Sequence, residues 1–547
     1  MADGGLARLD WVVLGGYGVL LLVSGLWLAR RAPSGSREYF LAGRQMPVWD
    51  VAISVLATSL SAATFVGAPQ QSFAGDLTYL SAILGGLLAI GIVAVFFVPS
   101  FYRHDAATVY ELLEVRFGPG AKRAASAMFM LGRVFASGAR VFIVGIPVSM
   151  IVFGVDQGGA GGQTDAGRMI GAIAILSFIG VVYTLAGGIR SVIWTDVIQC
   201  AVLVGAATAA LVTLLGRIPV GPGELVDALA AAQTPAGNSK LTVLSLSTDP
   251  GRRFTLWTAL LGFTLLNLGA YGTDHDLVQR MLTCRSAVRG SLSAVLGVLV
   301  GLPVTAIFMA IGLLLYVFYA RPDLMGAAAP SYPAPPPEQV FLIYVVRELP
   351  AGLTGLMLAG LFAAGIGSLN SALNAMSATL ISDFYKPARP GLSERHYLHA
   401  GRLGVVLWGV VLGAFACLCV WWYARLREQG ETLIEFALSV MTFAYSGLVA
   451  VFLVALFSRR GTTASAIAAL VTGFLVVLAF QPPAWGWVGA AAQVLGSASW
   501  PARPPAFPWQ LVIATAASLV VCALPRGRGA TAAWRTGRGV SPDGAGS

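Results

Sequence analysis

Apolar side chains dominate this chain of 547 residues. Hydrophobic residues make up 57% of the sequence, charged residues only 11%, and the mean hydropathy is +0.77. Such a composition excludes an ordinary soluble globular protein. We attribute the net charge of +10 to membrane topology and attraction to the membrane surface, not to nucleic-acid binding. The chain is therefore expected to be an all-α polytopic membrane protein.

Thirteen apolar segments are long enough to cross a bilayer, which takes about 20 helical residues. They lie at residues 10–29, 48–72, 77–102, 122–153, 169–186, 191–215, 253–279, 287–320, 352–384, 398–424, 432–458, 462–480 and 509–524. Placing the N-terminus outside assigns most of the 35 Lys and Arg residues, Arg280 among them, to cytoplasmic segments. The positive-inside rule thus predicts a multi-pass cell-membrane protein with an external N-terminus and a cytoplasmic C-terminus.

The cysteines and histidines show no pattern of a catalytic or metal centre. Five Cys and four His are scattered along the chain, without the spacing of metal ligands. The cysteines are interpreted as small buried thiols. Without a nucleophile or a metal cluster, the sequence predicts no enzyme and no cofactor.

The second span is predicted to be a broken helix. Between Ala57 and Thr64 it is rich in hydroxyl side chains that compete for backbone hydrogen bonds, and Gly67 and Pro69 weaken the helix beyond. Irregular backbone at this depth is tolerated where protein or a water-filled cavity satisfies it, so a break marks a candidate binding site. The alternative is an unbroken Ser/Thr-rich helix packed tightly on its neighbours.

The fourth span carries two arginines on one helical face. Ser126, Arg133, Ser137 and Arg140 follow at intervals of 7, 4 and 3 residues, which places them along one stripe. Because arginine is unfavourable in the bilayer centre, this stripe is expected to face the bundle. Each arginine is a candidate contact for an anion or carboxylate. The alternative is a structural pair with a carboxylate of the bundle.

A second broken helix is predicted in the seventh span. Gly269, Gly272 and Asp274 interrupt an apolar segment five spans after the first break, which indicates an inverted repeat. Asn267 and Tyr271 lie one turn apart and face either the cavity or a neighbouring helix. The group from Asp274 to Asp276 is interpreted as a solvated cytoplasmic end.

Oxygen-bearing side chains in two further spans suggest a cation site. Asp196 lies about two turns into the sixth span and is a candidate cation ligand. The alternative interpretation is an interfacial carboxylate paired with Arg190. In the ninth span, small residues recur every fourth position from Gly360 through Ala364 to Ser368, so another backbone can approach closely. Freed carbonyls of the broken second span and the Ser368 hydroxyl would then hold a monovalent cation.

These patterns divide the chain into six parts. The divisions are an N-terminal extra helix and linker (1–47), a first five-helix repeat (48–216), an external loop (217–252), a second five-helix repeat (253–458), two C-terminal helices (459–524) and a disordered cytoplasmic tail (525–547).

Several motifs in combination resemble the sodium:solute symporter family. They are YFLAGRQMPVW, SLSAATFVGAP, YELLEVRFG, GGIRSVIWTDVIQ, YGTDHDLVQRML and NSALNAMSATLISDFYKP. The resemblance runs from about Tyr39 to Ser458. It implies the five-plus-five inverted-repeat fold of the bacterial leucine transporter, alternating access, and coupling of solute movement to sodium.

The resemblance also implies ligands for sodium. The main site would be formed by the carbonyls of Ala57, Leu60 and Ala364 and by the hydroxyl of Ser368. The family usually has a second hydroxyl where this chain has Gly367, so one ligand must come from elsewhere. A further sodium ion in some members implies a second site here. Its residues would be Asp196, Asn370 and Ser371.

The solute is expected beside the first break. The candidate contacts are Ser59, Ser61, Thr64, Gln70, Gln71, Arg133, Arg140, Asn267 and Tyr271. The SAATFVGAP form and the buried arginines resemble the monocarboxylate-transporter branch, which implies import of a small organic anion. The alternatives are a sodium-coupled sugar or polyol symporter, or an uncoupled permease or solute sensor of the same fold.

Overall fold

The computed structural model describes most of the chain in atomic detail. The described residues are 6–29, 41–60, 62–106, 108–153, 166–185, 189–235, 237–428, 430–494, 501 and 503–525. Among them there is no β-strand, and residues Gln233 and Ser239 form one isolated bridge. The predicted all-α architecture is confirmed, and the predicted disordered tail lies almost wholly outside the described residues.

The helices follow the order of the apolar segments. We number them α1 (Arg8–Ala29), α2 (Val48–Ser59), α3 (Ala62–Ala74), α4 (Thr78–Arg103), α5 (Glu111–Phe117), α6 (Pro119–Phe153), α7 (Ala166–Thr184), α8 (Ile189–Arg217), α9 (Pro222–Ala231), α10 (256–273), α11 (His275–Leu282), α12 (Ala287–Ala320), α13 (Val340–Arg347), α14 (Leu353–Leu380), α15 (Glu394–Arg427), α16 (Leu433–Ser439), α17 (Thr442–Phe457), α18 (Thr463–Ala479), α19 (Pro482–Val494) and α20 (Phe507–Ala523). Short helical turns lie at Ala42–Arg44, Pro322–Met325, Gly326–Ala328 and Lys386–Ala388.

Length and hydropathy mark seven of the described helices as membrane spans. The number rises to ten when each of three bent helix pairs counts as one span. The chain is therefore a multi-pass membrane protein, and the total of thirteen spans stays a prediction.

The first predicted break is confirmed. Helix α2 ends at Ser59, Leu60 adopts an extended conformation (φ −76°, ψ 110°), and the axis of α3 is bent by 57° from that of α2. The N–H of Leu60 donates to the carbonyl of Leu56 at 2.8 Å. Because the helix ends here, carbonyls of its last turn have no further helical N–H donors and are available to a ligand.

The second predicted break is also confirmed, at Asp274. Helix α10 ends in a π-helical turn at Gly269–Thr273, Asp274 is extended, and its side chain accepts from the N–H of Asp276 at 3.1 Å as α11 begins. The prediction of a solvated end was wrong here. Asp274, His275 and Asp276 are each 1% exposed, because α11 packs against α2, α12 and α14.

Close packing holds the broken helix between two long ones. A Cβ built on Gly312 of α12 would overlap the carbonyl oxygen of Pro69 in α3, so only glycine allows this approach. The hydroxyl of Ser72 donates to the carbonyl of Met309 at 2.7 Å across the same contact. On the other side, α14 packs along α8 and α6.

A lysine from the loop after α9 caps the far end of α3. The Nζ atom of Lys240 donates to the carbonyls of Ser72, Phe73 and Gly75 at 3.3, 2.6 and 2.9 Å. Its ammonium also lies 4.0 Å from the ring centroid of Tyr316. A cation at a helix C-terminus is favoured by the helix dipole, so this contact ties the loop to the broken helix.

Candidate functional site

A cavity of about 190 Å³ lies beside the first break. Its described lining comes from α2 and α3 at the break and from α4, α6, α10, α11, α12, α16 and α17. Apolar side chains form most of this lining, and hydroxyl, amide and arginine groups converge on it. Such a mixture is typical of a small-molecule site.

Four of the predicted solute contacts other than the arginines line this cavity. They are Ser59, Thr64, Asn267 and Tyr271. The hydroxyls of Ser59 and Tyr271 are 3.1 Å apart, so they join the first broken helix to α10. The Nδ2 atom of Asn267 donates to the carbonyl of Phe263 at 2.8 Å, which orients its amide. Another predicted contact, Ser61, lies outside the described residues.

Gln70 and Gln71 do not line the cavity. Gln70 accepts from the N–H of Leu433 at 3.0 Å, and Gln71 accepts from the hydroxyl of Thr432 at 3.1 Å. Both glutamines therefore join α3 to the start of α16. They connect two helices at the edge of the site instead of facing its interior.

The two arginines of α6 both line the cavity but differ in their partners. Arg133 is 3% exposed and contacts two carboxylates, Asp274 at 2.5 Å and Asp276 at 3.1 Å. The structural-pair interpretation is thus correct for Arg133. Arg140 makes no hydrogen bond or salt bridge with any residue that the structure describes. No carboxylate belongs to the described lining, so Arg140 places a positive charge at the surface of the cavity.

Arg133 begins a buried row of alternating charges that extends away from the cavity. Asp276 contacts Arg133 on one side and Arg280 on the other, at 2.6 Å. Arg280 then reaches Asp196 at 3.2 Å. At the opposite end, the hydroxyl of Tyr445 donates to Asp274 at 2.6 Å. Pairing of this kind makes buried charge tolerable, and removal of one partner leaves another uncompensated.

Arg280, which the positive-inside rule assigned to a cytoplasmic segment, lies inside the helical bundle and not in an exposed loop. Its side chain is fully buried, and Nη2 donates to the hydroxyl of Ser371 at 2.5 Å while Nε donates to that of Ser54 at 2.9 Å. Asp196 was alternatively expected to pair with Arg190; among the described side chains it accepts from Ser54 and from Arg280. The side chain of Arg190 lies outside the described side chains.

These contacts bear on the residues expected for a second sodium ion. Asp196 and Ser371 both bind the guanidinium of Arg280, and the Oδ1 atom of Asn370 accepts from Asn374 at 3.2 Å. A positive charge that belongs to the chain itself thus lies among the expected ligands. The guanidinium of Arg280 donates to Oδ2 of Asp196 and to the hydroxyl of Ser371, so its positive charge opposes a further cation among these residues.

The residues of the main sodium site fit a cation better. Ala57 and Leu60 lie at the broken end of α2, where carbonyls are released. Ala364 and Ser368 are one turn apart on α14, 6% and 4% exposed. The hydroxyl oxygen of Ser368 is buried and has no hydrogen-bond partner among the described residues. A buried polar atom in this condition is unfavourable unless a ligand satisfies it, and a hard cation accepts such oxygens.

Sequence reasoning missed the residues that neutralise Arg133. Asp274, Asp276 and Tyr445 come from α11 and α17, far from α6 in sequence. The one available signal was the pair of carboxylates directly after the second break, and it was interpreted as a polar end. The charge of Asp276 is shared with Arg280, four residues later on the same helix.

Comparisons with known proteins show the family to which the chain belongs. The family model described as "Sodium:solute symporter family" matches residues 39–473. The sodium/sialic acid symporter SiaT of Proteus mirabilis is 27% identical over 86% of this chain and 89% of its own length. The human sodium-coupled monocarboxylate transporter 1 is 26% identical, over 89% and 74% of the two chains. The human sodium/iodide cotransporter is 26% identical, over 85% and 68%.

A solved structure shows that the fold is shared. The outward-open, substrate-bound state of a Na⁺-coupled sialic acid symporter superposes with a TM-score of 0.75, at 23% identity and over 95% of this chain and 99% of the other. The matched family model spans well over half of the 547 residues and includes both broken helices. This chain, a transporter and not an enzyme, is a member of the sodium:solute symporter family.

Proposed function

We propose that this protein imports a small organic anion, such as a monocarboxylate, together with sodium by alternating access. The observation that carries the choice of solute is the charge of the cavity. Arg140 lines it without a protein counter-ion in the described part of the chain, and the described lining holds no carboxylate. A guanidinium binds a carboxylate through two parallel hydrogen bonds.

The size of the cavity supports a small solute. Pockets that enclose drug-sized molecules are commonly about 300–1,000 Å³, whereas this one measures about 190 Å³. The hydroxyls of Ser59 and Thr64 and the amide of Asn267 would bind further polar groups of the anion. Gln70 and Gln71 are not retained as solute contacts, because both face α16.

Sodium coupling in this proposal acts through the first break. A sodium ion held by the carbonyls of Ala57, Leu60 and Ala364 and the hydroxyl of Ser368 would fix α2 and α3 against α14. The solute would contact the same break from the cavity side, through Ser59 and Thr64. Each ligand would then favour the conformation that the other binds, which is the requirement for coupling.

We further propose that one sodium ion moves in each cycle. The residues of the second site already surround the guanidinium of Arg280. The membrane orientation with the N-terminus outside, the division into two five-helix repeats and the span count of thirteen belong to the same proposal. They follow from the basic residues of the loops and from the two breaks five spans apart.

Uptake into proteoliposomes tests the proposal directly. Radiolabelled lactate is supplied with an inward sodium gradient or with potassium in its place. We expect accumulation only with the sodium gradient, and its loss in Ser368→Ala. Ser377→Ala, on the same helix but bonded to the carbonyl of Gly401, should transport as the unchanged protein does.

The possible outcomes separate the alternatives. Equal initial rates with and without sodium would indicate an uncoupled permease, for which the missing hydroxyl at Gly367 is the motivating observation. Accumulation of a neutral sugar or polyol in preference to any carboxylate would replace the anion assignment and leave sodium coupling in place. Sodium-dependent binding without any uptake would indicate a sensor.

A further inference from the structure

Gly367 leaves a space that another side chain occupies. A Cβ built on Gly367 would overlap the Oε1 atom of Gln199, from helix α8, and would lie 3.8 Å from Oδ1 of Asp196. An amide oxygen therefore occupies the volume into which a side chain at position 367 would extend. Glycine at position 367 therefore lacks the hydroxyl that is usual in the family, and it also leaves room for the amide oxygen of Gln199.

The position of Gln199 is set by the packing of α8 against α14. Gln199 is 3% exposed and follows Asp196 by three residues, so the two side chains share one face of α8. That face points at the segment of α14 that carries Ala364, Gly367 and Ser368. Gly367 immediately precedes Ser368, whose buried hydroxyl has no partner among the described residues.

We propose that Gln199 supplies, through its side-chain amide oxygen, the sodium ligand that Gly367 lacks. This inference rests on the proposed sodium-coupled function and names a ligand that the family pattern does not assign. An amide oxygen is a neutral hard donor of the kind that alkali and alkaline-earth cations accept in proteins. It replaces a hydroxyl oxygen without adding charge to the site.

Asp196 is the competing source of this oxygen, and its contacts argue against it. Its Oδ2 atom accepts from Ser54 at 2.5 Å and from Arg280 at 3.2 Å, so the carboxylate is held by these two groups. Its other oxygen, Oδ1, is the one that faces Gly367, at 3.8 Å from the built Cβ. The nearer group at Gly367 is the amide of Gln199, not this carboxylate. A carboxylate neutralised by an arginine also attracts a cation less strongly than an ionised carboxylate that has no partner.

Two substitutions, singly and together, test the assignment by the direction in which they change the sodium affinity. In the purified protein, the thermal unfolding midpoint is titrated with sodium chloride against choline chloride at constant ionic strength. Gln199→Ala should weaken the apparent sodium affinity at least about tenfold, the lower limit for losing a group that supports a metal site. Gly367→Ser alone should also weaken it, because the new side chain overlaps the amide of Gln199.

In the double variant, the serine at position 367 should raise the sodium affinity instead of lowering it. Gln199→Ala empties the space, and Gly367→Ser then places a hydroxyl in it, so the sodium affinity should return to within a few-fold of the unchanged protein. Cys200→Ala, the next residue on α8 and 7% exposed, is the matched control and should leave the affinity unchanged. A serine that weakens binding in one background and restores it in the other is not expected from a packing role.

Three results overturn the inference. The first is full sodium affinity in Gln199→Ala, the second is an equal change in affinity by Gly367→Ser in both backgrounds, and the third is a double variant that binds sodium no better than Gln199→Ala. In each case the unchanged protein still responds to sodium, so the coupled function stands. If the unchanged protein shows no sodium-specific shift, the proposed function fails together with the ligand assignment.

Discussion

Replacing Arg140 by glutamine removes the positive charge that we assign to anion binding. At an effective dielectric constant of about 20, two unit charges 4 Å apart attract each other by about 4 kcal/mol. The net value of a hydrogen bond to a charged group is smaller, about 1.5–3 kcal/mol, because water is displaced. We therefore expect Arg140→Gln to lose about 2–3 kcal/mol, or about 30- to 150-fold in affinity for a carboxylate.

The assay compares a carboxylate with its neutral amide. Lactate and lactamide are titrated against the thermal unfolding midpoint in sodium chloride. The unchanged protein should bind lactate far more tightly than lactamide, and Arg140→Gln should lose this preference. Arg140→Lys keeps the charge without the planar two-bond geometry, so it should lie between them.

A contrasting variant separates binding from folding. Arg133→Gln leaves Asp274 and Asp276 without one of their cations, so it should lower stability by about 3–5 kcal/mol, as expected for a broken buried pair. Arg140→Gln leaves no described carboxylate unpaired and should unfold near the temperature of the unchanged protein. The reasoning is refuted if Arg140→Gln binds lactate normally, or if the unchanged protein does not distinguish lactate from lactamide.

Three further predictions concern the ion, the pH and the packing. With Arg280 in the second site, a tracer-flux ratio of one sodium per solute and a Hill coefficient near 1 are expected; a ratio of two would contradict this. Burial raises the pKa of Glu431, in the loop beside Arg253, to about 7. The stabilising contribution of Glu431 is fully present below the pKa that this residue has in the unfolded chain, and it is lost as the pH rises through about 7. The unfolding midpoint of Glu431→Gln should therefore depend less on pH between 5 and 8. Gly312→Ala should lower stability by about 1–3 kcal/mol through overpacking, whereas Gly91→Ala, with nothing within 4 Å, should not.

The helical breaks could be predicted because their causes are local. Hydroxyl side chains, glycines and a proline weaken a helix wherever they occur, and the structure interrupts the chain at Leu60 and Asp274 within the predicted segments. The helical stripe of Arg133 and Arg140 was likewise readable from spacing alone. Each of these features depends on residues only a few positions apart.

The partners of these residues could not be predicted, because they come from distant helices. Nothing near Arg133 in sequence indicates that Asp274 neutralises it and that nothing described neutralises Arg140. Arg280 was grouped with the nearby Arg285 and Arg289 as a cytoplasmic residue, but its side chain is buried among helices that are distant in sequence. The occupant of the space at Gly367 also needed coordinates, since Gln199 lies on a different helix.

The row of alternating charges has a consequence for the energetics of transport. Arg133 and Arg280 carry two positive charges, and Asp196, Asp274 and Asp276 carry three negative ones. The row therefore keeps one net negative charge, which belongs to the protein whether or not its ligands are bound. One sodium ion and one monovalent anion would add no net charge to the carrier, so a complete cycle would move no net charge across the membrane. The sodium concentration ratio alone would set how far the solute accumulates.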